Sequence, residues 1–228
     1  MTASPVKVQD FLRNLPLFGA LSAKELDRVS AGTTRVRAPA GRVLFRRGEP
    51  CSGFYVIVYG QVKLAFGSSN GAEKVVEILG PGQSFGEPFM FLDEPHAGFA
   101  EALADSLLLL IGKATLFAEI DRNPRFARRM LALLAERLRR MIADIEAYTL
   151  ESGAQRVVAY LLRDVPSDTR SPLEVKLSAA KGVVASRLSI TREHLSRVMH
   201  ELVQAGLIEV NGRTIRILDP ARLRLWKG

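Results

Sequence analysis

The stretch between Leu188 and Leu207 constrains the fold more than any other part of the chain. Apolar residues recur along it at the i, i+3, i+4 spacing of an α-helix, so one face of this helix must pack against a core. These residues are Leu195, Val198, Met199, Leu202 and Val203. Thr191 stands where the helix should begin, because a threonine hydroxyl can accept a free N–H of the first turn. Gly206 stands where the helix should end.

The opposite face of this helix carries side chains of the kinds that read base edges. Arginine donates two parallel hydrogen bonds to guanine, glutamate accepts from cytosine, and serine can do either. The side chains on this face are Arg192, Glu193, Ser196, Arg197 and His200. The same pattern also fits an ordinary amphipathic helix with a solvated charged face, because short motif matches carry false positives.

A shorter helix and a tight turn precede this helix. Residues 179–187 combine small and apolar residues in a helical pattern, and residues 188–190 form the turn between the two helices. Two helices joined by a turn of this length form a helix-turn-helix. The preceding segment therefore favours DNA recognition over a merely solvated face.

Residues 207–217 predict a β-hairpin after the helix pair. Apolar residues alternate on both sides of Asn211-Gly212, and this dipeptide between alternating strands is the strongest short-range hairpin signal. A helix pair followed by a hairpin is a winged helix. Arg213 and Arg216 lie on the wing, where we expect them to contact DNA phosphates.

The segment from Thr191 to Met199 resembles the recognition helix of the Crp/Fnr family of bacterial transcription regulators. In that family, the glutamate, serine and final arginine of E-x-x-S-R read a TTGA-type half-site, and they fall here on Glu193, Ser196 and Arg197. Arg192 matches the arginine before the glutamate in the cyclic-AMP receptor branch. The resemblance implies a homodimer that binds palindromic double-stranded DNA and contacts RNA polymerase.

The charge of the chain agrees with a polyanionic partner. The net charge is +8. From residue 151 onward, 13 lysines and arginines stand against 8 aspartates and glutamates, compared with 19 against 16 before it. The positive excess is thus densest around the helix-turn-helix, as DNA binding requires.

No apolar run is long enough to span a membrane and the N-terminus lacks a signal-peptide layout, so we expect a cytoplasmic protein without a membrane partner.

The N-terminal half predicts a β-rich sensor domain. Residues 7–38 have a helical pattern, in which Ser22 and Glu25 fit a capping box. From about residue 34 to residue 112, short β-branched runs alternate with glycines, which is typical of a small β-barrel or roll. With the C-terminal helices, this pattern predicts the α+β fold class.

Two segments of this half, residues 45–64 and residues 80–95, resemble the β-roll of cyclic-nucleotide-binding domains. In nucleotide-binding members, the equivalent of Gly86-Glu87 holds the ribose, and an arginine followed by serine or threonine binds the phosphate. The second pair is replaced here by Ala97 and Gly98. A buried phosphate without a cation loses its hydration uncompensated, so we do not expect cyclic AMP to bind. Gly86 is interpreted as a turn residue, and Glu87 as the partner of a nearby arginine.

The pattern from Asn123 to Glu151 predicts the longest helix of the chain. Its apolar residues recur at alternating steps of three and four, which fits a two-stranded coiled coil. The predicted dimer seam consists of Leu131, Leu134, Leu138, Met141, Ile145 and Tyr148. The alternative is a single helix that packs on its own roll.

The residues of the roll narrow the choice of effector without fixing it. An iron–sulfur cluster is not expected, because Cys51 is the single cysteine. Residues 73–95 and 188–223 resemble the nitric-oxide-responsive denitrification-regulator branch, which makes haem the candidate cofactor. His96 is the only histidine of the roll, although its place beside Pro95 favours a surface loop; Cys51 is interpreted as an inert loop thiol. The predicted effector pocket consists of Gly86, Glu87, Met90 and His96.

These observations divide the chain into a sensor roll (1–122), a dimerisation helix (123–151) and a winged helix-turn-helix domain (152–228). The sequence contains no Ser-His-Asp set, paired metal ligands or P-loop, so we expect no catalytic or metal site. Two rival functions remain open. One is a small-molecule-binding module or enzyme with an incidental basic tail, and the other is an architectural protein that binds any duplex. A cyclic-nucleotide-responsive or effector-independent regulator is the alternative within the family.

Overall fold

Two four-stranded sheets form the first half of the chain in the computed structural model, which describes residues 8–67 and 73–226. The first sheet has the strand order β1 (Thr33–Ala38), β8 (Ser106–Gly112), β3 (Gly53–Tyr59) and β6 (Ser84–Phe85). The second has the order β2 (Val43–Phe45), β7 (Phe99–Ala102), β4 (Val62–Gly67) and β5 (Glu73–Leu79). The non-sequential strand orders are those of a roll, in which the chain crosses between sheets.

The central strands β3 and β8 are apolar along most of their length because the first sheet is buried on both faces. Phe54 and Ile111 are paired across the two strands and point into a core shared with helices. Ile57 and Leu108 are paired likewise but point into the core between the two sheets. A strand that is buried on both faces loses the apolar–polar alternation of a half-exposed strand.

Helices cover the outer face of the first sheet. They are α1 (Val8–Arg13), α2 (Ala23–Ala31), α3 (Glu87–Leu92), α4 (Lys113–Arg122) and the start of α5 (Pro124–Leu150). The predicted capping box is confirmed, since Glu25 accepts from the Ser22 backbone N–H at 2.6 Å. The helical pattern predicted for residues 7–38 is wrong at its end, where residues 33–38 form β1. Their pairing with β8 overrides a weak local preference.

The second half of the chain is a small helical domain with a three-stranded sheet. Its elements are α6 (Gly153–Leu162), β9 (Leu173–Lys176), α7 (Lys181–Arg187), α8 (Arg192–Gln204), β10 (Ile208–Asn211), β11 (Thr214–Ile217) and α9 (Pro220–Leu225). The hairpin is confirmed, but its turn is Gly212-Arg213 rather than Asn211-Gly212, because Asn211 already pairs with Thr214. Gly212 has φ +60° at the first turn position, as in a type II′ turn. Strand β9 adds an unpredicted third strand beside β11.

The predicted α+β class is confirmed, with a roll, a long helix and a C-terminal winged helix-turn-helix. The described residues form two compact units. The first reaches Arg139 but excludes residues 73–75, which belong with residues 140 onward to the second. The helix α5 is thus shared between both units, and the domain limits at residues 122 and 151 stay predictions. Among the described residues, no helix is long and apolar enough to cross a membrane.

His96 lies in the loop between α3 and β7, but its side chain is buried, so the expectation of a surface residue was wrong. Only 3% of its surface is exposed. Its ring stacks on Phe45 with the ring centroids 3.6 Å apart, and the edge of Phe89 lies 5.6 Å away. The His96 backbone forms hydrogen bonds with the backbone of Gly48 and Glu49, which hold the loop against the segment after β2. The Nδ1 atom is buried and has no hydrogen-bond partner among the described residues.

Burial makes the stability of the roll depend on the protonation state of His96. It lowers the pKa of His96 below the ordinary value of 6.5, and the nearby Glu49 carboxylate opposes this shift without outweighing it. Above pH 6.5 the imidazole is neutral in both the folded and the unfolded chain. As the pH falls below 6.5, the unfolded chain takes up the proton first, so the free energy of unfolding decreases.

We expect His96→Phe to remove this acid sensitivity while keeping the stack on Phe45. For one group, the wild-type slope can reach about 1.4 kcal/mol per pH unit below pH 6.5. The measurement is urea unfolding between pH 5 and pH 8, with His200→Gln as a control because His200 is exposed. Equal pH slopes in the wild type and His96→Phe would contradict the assignment.

Candidate nucleic-acid interface

The helix α8 is held by its buried face and begins where the sequence predicts. The Thr191 side chain accepts a hydrogen bond from the His194 backbone N–H at 3.1 Å, which caps the first turn. Four of the five predicted core residues are at most 3% exposed: Leu195, Val198, Met199 and Leu202. Val203 is the exception, because 38% of its surface is exposed at the rim of this face. The helix contacts α6, α7 and β10.

The predicted reading side chains all lie on the exposed face of α8. They are Arg192, Glu193, Ser196, Arg197 and His200. In the part of the chain that the structure describes, no hydrogen bond or ion pair occupies these side chains. Such a row of unused donors and acceptors on a rigid helix can bind base edges and phosphates. His194 differs from them, because it is half-buried beside Gly153 at the start of α6.

The two wing arginines have different surroundings. Arg216 donates to Glu209 on the paired strand at 3.4 Å, so its charge is partly neutralised. Arg213 occupies the exposed turn, and its side chain has no ion-pair partner among the described residues. Only its backbone is engaged, through the carbonyl that accepts from Leu177 N–H at 2.8 Å. Arg213 is therefore the wing residue that is free to contact a phosphate.

A side chain far away in sequence, that of Arg156, fixes the turn between α7 and α8. The Arg156 side chain donates to the carbonyl of Leu188 at 2.9 Å and to that of Ser189 at 3.4 Å. Ser189 has φ +58°, a conformation that L residues rarely adopt and that needs such support. Sequence reasoning missed Arg156, because a contact across 32 residues leaves no local pattern.

The C-terminal part of α5 is tied to the end of α7. The Tyr148 hydroxyl donates to the Arg187 carbonyl at 2.6 Å. The Arg187 guanidinium in turn donates to Asp144 at 2.6 Å and to Tyr148. Tyr148, which was predicted to lie in the dimer seam, is thus half-buried within its own chain. These bonds hold the C-terminal end of α7, and with it the start of the following turn, against the last turns of α5.

Five large, exposed apolar residues of α5 form a row that differs slightly from the predicted dimer seam. Between 49% and 65% of each side chain is exposed in Leu131, Leu138, Met141, Ile142 and Ile145. This set is the apolar row. Leu134, by contrast, packs against the N-terminal core. The row therefore contains Ile142 in place of Leu134 and Tyr148.

Glu87 is engaged within the chain. It is fully buried, and its Oε2 accepts a hydrogen bond from Arg137 of α5 at 3.1 Å. Arg137 also donates to Glu77 at 2.7 Å and to the Ser84 carbonyl at 3.3 Å. Burial raises the pKa of Glu87, and the Arg137 guanidinium opposes that shift. Gly86 precedes α3 with φ +99°, as a turn residue does.

Two residues of the predicted effector pocket, Met90 and His96, pack against different cores. Met90 is fully buried in the core between the first sheet and the helices. His96 stacks on Phe45, which belongs to the core between the two sheets. Cys51 is half-buried, its Sγ donates to the Gly53 carbonyl at 3.2 Å, and burial raises the pKa of the thiol. The described residues contain no cluster of three or more His, Cys, Asp or Glu that could hold a metal.

Comparison with known proteins agrees with this geometry in both halves. Residues 35–123 match the cyclic nucleotide-binding domain family, and residues 155–226 match the Crp-like helix-turn-helix domain family. The cyclic AMP receptor protein of Thermus thermophilus is 29% identical over 212 residues, which cover 93% of this chain and 96% of that protein. The CRP-like cAMP-activated global transcriptional regulator of Mycobacterium tuberculosis is 23% identical over 219 residues, which cover 95% of this chain and 98% of that protein.

Two solved structures extend the comparison. DNR from Pseudomonas aeruginosa is 34% identical, with a TM-score of 0.52 over 98% of this chain and 99% of that chain. FixK2 from Bradyrhizobium japonicum shares the fold at 21% identity, with a TM-score of 0.75 over 86% of this chain and 98% of that chain. The predicted roll and helix-turn-helix are thereby confirmed. This chain belongs to the Crp/Fnr family and is a DNA-binding transcription regulator, not an enzyme.

Proposed function

We propose that this regulator acts in the cytoplasm as a homodimer that reads a TTGA-type palindrome. One observation carries the proposal: a row of exposed side chains without partners stands on a helix whose opposite face is buried. We assign Arg197 to guanine, Glu193 to cytosine of the opposite strand, and Ser196 and Arg192 to neighbouring bases. Thr191, His200 and Arg213 are assigned to the phosphate backbone.

The apolar row of α5 supports dimerisation. Exposed apolar residues that follow one face of a helix of 27 residues are costly in water, and a second copy of the helix would cover them. Two reading helices of a symmetric dimer then meet two half-sites about one DNA turn apart, roughly 34 Å. RNA polymerase is the partner that a transcription regulator bound upstream of a gene would contact.

The effector is proposed to be a small molecule other than cyclic AMP. Glu87 is already paired with Arg137, and the positions of the phosphate-binding pair hold Ala97 and Gly98. The 34% identity with DNR from Pseudomonas aeruginosa supports the denitrification-regulator branch as the nearer relative. Haem does not fit the roll as folded, because His96 is stacked on Phe45 and Met90 lies in a different core.

An effector-independent regulator is the second candidate. Its support is the network around Arg137, which supplies a cation to the buried carboxylate of Glu87 and links the roll to α5 without a ligand. Fluorescence anisotropy of ligand-free protein on a TTGA palindrome and on a scrambled duplex at equal salt separates the two candidates. Selective binding without ligand favours effector independence. Selective binding only after a ligand is added favours the effector-controlled dimer.

We expect Arg197→Ala to weaken binding to the palindrome by about 1–3 kcal/mol and to leave binding to the scrambled duplex nearly unchanged. Arg213→Ala should weaken binding to both duplexes alike and reduce the salt slope by about one. Arg216→Ala is the control, because that arginine is paired with Glu209 on the same hairpin. Equal weakening of both duplexes by Arg197→Ala would make Arg197 a phosphate contact and overturn its assignment.

We expect Leu138→Glu to convert the dimer to monomers. Leu138 is 59% exposed in the single chain, so the glutamate does not disturb folding, but an interface on the apolar row would bury its charge. The dimer dissociation constant should rise by about tenfold or more, as measured by sedimentation equilibrium. Leu225→Glu is the matched control, since Leu225 is 79% exposed and lies outside the row. A dimer that persists in Leu138→Glu would exclude the row as the interface.

A further inference from the structure

A cleft rich in arginine lies on the first unit, where α4 ends and α5 begins. Its volume is about 580 Å³, within the range of small-molecule sites. Its polar lining consists of Arg122, Arg125, Arg128, Arg129, Asn123 and Glu25. We call it the arginine cleft. Its residues are not among those that read DNA or form the apolar row, so the proposed function leaves the cleft unexplained.

The four arginines of the cleft are exposed and free to bind an anion. Three other arginines on the same or neighbouring helices are held by acids: Arg28 by Glu119, Arg137 by Glu77 and Glu87, and Arg139 by Glu136. No ion pair of the described residues involves Arg122, Arg125, Arg128 or Arg129. Four arginines that line one cleft repel each other through their charges, and a multivalent anion relieves this repulsion.

Glu25 is the one carboxylate of the cleft, and its oxygens are already engaged. Oε2 accepts from the Ser22 backbone N–H at 2.6 Å and from its hydroxyl at 2.7 Å, while Oε1 accepts from the Asn123 side-chain amide at 2.7 Å. These hydrogen bonds lower the pKa of Glu25, so it stays ionised. One carboxylate against four guanidinium groups leaves the cleft strongly positive. Glu25 instead connects the start of α2 with Asn123.

The backbone around the cleft adds to the positive potential. Asn123 Oδ1 accepts from the N–H groups of Arg125 and Phe126 at 3.1 Å, so it caps α5. The positive end of the dipole of α5 therefore opens beside the arginines. Phe126 is buried in the core next to Phe18, which makes the first turn of α5 a rigid platform. The arginines therefore start from a fixed base, and their side chains are exposed.

We propose that the arginine cleft binds a small anion with several phosphate groups, of the inorganic polyphosphate or nucleoside triphosphate class. Guanidinium groups bind phosphate oxygens in pairs, so four of them suit a chain of two or three phosphates better than a single sulfate. The volume of the cleft admits such a ligand with or without a nucleoside. The site differs from the cyclic-nucleotide position, which lies at Gly86-Glu87 of the roll.

The test is isothermal titration calorimetry of the full chain at constant ionic strength, with inorganic triphosphate as the probe. The cleft variant carries Arg125→Gln, Arg128→Gln and Arg129→Gln. A charge-matched control carries Arg46→Gln, Arg47→Gln and Arg170→Gln, three exposed arginines outside the cleft. A further variant, Arg192→Gln with Arg197→Gln and Arg213→Gln, tests whether the DNA-reading face captures the probe. Urea unfolding of each variant confirms that it folds.

We expect the wild type to bind one triphosphate per chain, about tenfold or more tightly than sulfate. The affinity for triphosphate should fall about tenfold in the cleft variant and in no other variant. The control and the DNA-face variant should bind as the wild type does. Adenosine triphosphate then distinguishes the two sources: tighter binding than triphosphate indicates a nucleotide, and equal binding indicates a polyphosphate. Failure of the folded wild type to bind triphosphate, or loss of binding in the DNA-face variant but not in the cleft variant, would overturn the proposal.

Discussion

The buried carboxylate of Glu87 determines how the long helix is placed on the roll. A fully buried carboxylate without a cation would be severely destabilising, and removing one partner of such a pair costs about 3–5 kcal/mol. Arg137 of α5 supplies the cation, and its guanidinium is shared with Glu77 and the Ser84 carbonyl. Three acceptors on β5, β6 and α3 therefore fix the rotation of α5 about its own axis.

That rotation decides which side chains of α5 remain in water. With Arg137 turned toward the roll, Leu134 enters the N-terminal core and Leu138 remains exposed. Further along the helix, Asp144 and Tyr148 bind Arg187 and so hold the start of the helix-turn-helix. One helix therefore carries the pair with Glu87, the apolar row and the connection to α7. A change at Arg137 acts directly on the helix that presents the row.

Local patterns predict much of this molecule, and long-range contacts account for most of what they miss. The cap at Thr191, the buried face of α8 and the hairpin can be predicted because each depends on residues a few positions apart. The burial of His96 depends on Phe45, which is distant in sequence, and it could not be read from the proline beside it. The apolar row differs from the predicted dimer seam at Leu134 and Tyr148, because the contacts of these two side chains are with residues distant in sequence.

Pairing also separates the arginines that support the fold from those that are free for ligands. In the described residues, Arg28, Arg137 and Arg187 each bind an acid that is at least partly buried, so their charge is neutralised within the chain. Arg192 and Arg197 on α8, and the arginines of the cleft, have no such acid. An exposed arginine keeps its hydration and costs little until an anion displaces that water. The net charge of +8 is therefore less informative than its placement, because four unpaired arginines line one cleft and two stand on the exposed face of α8.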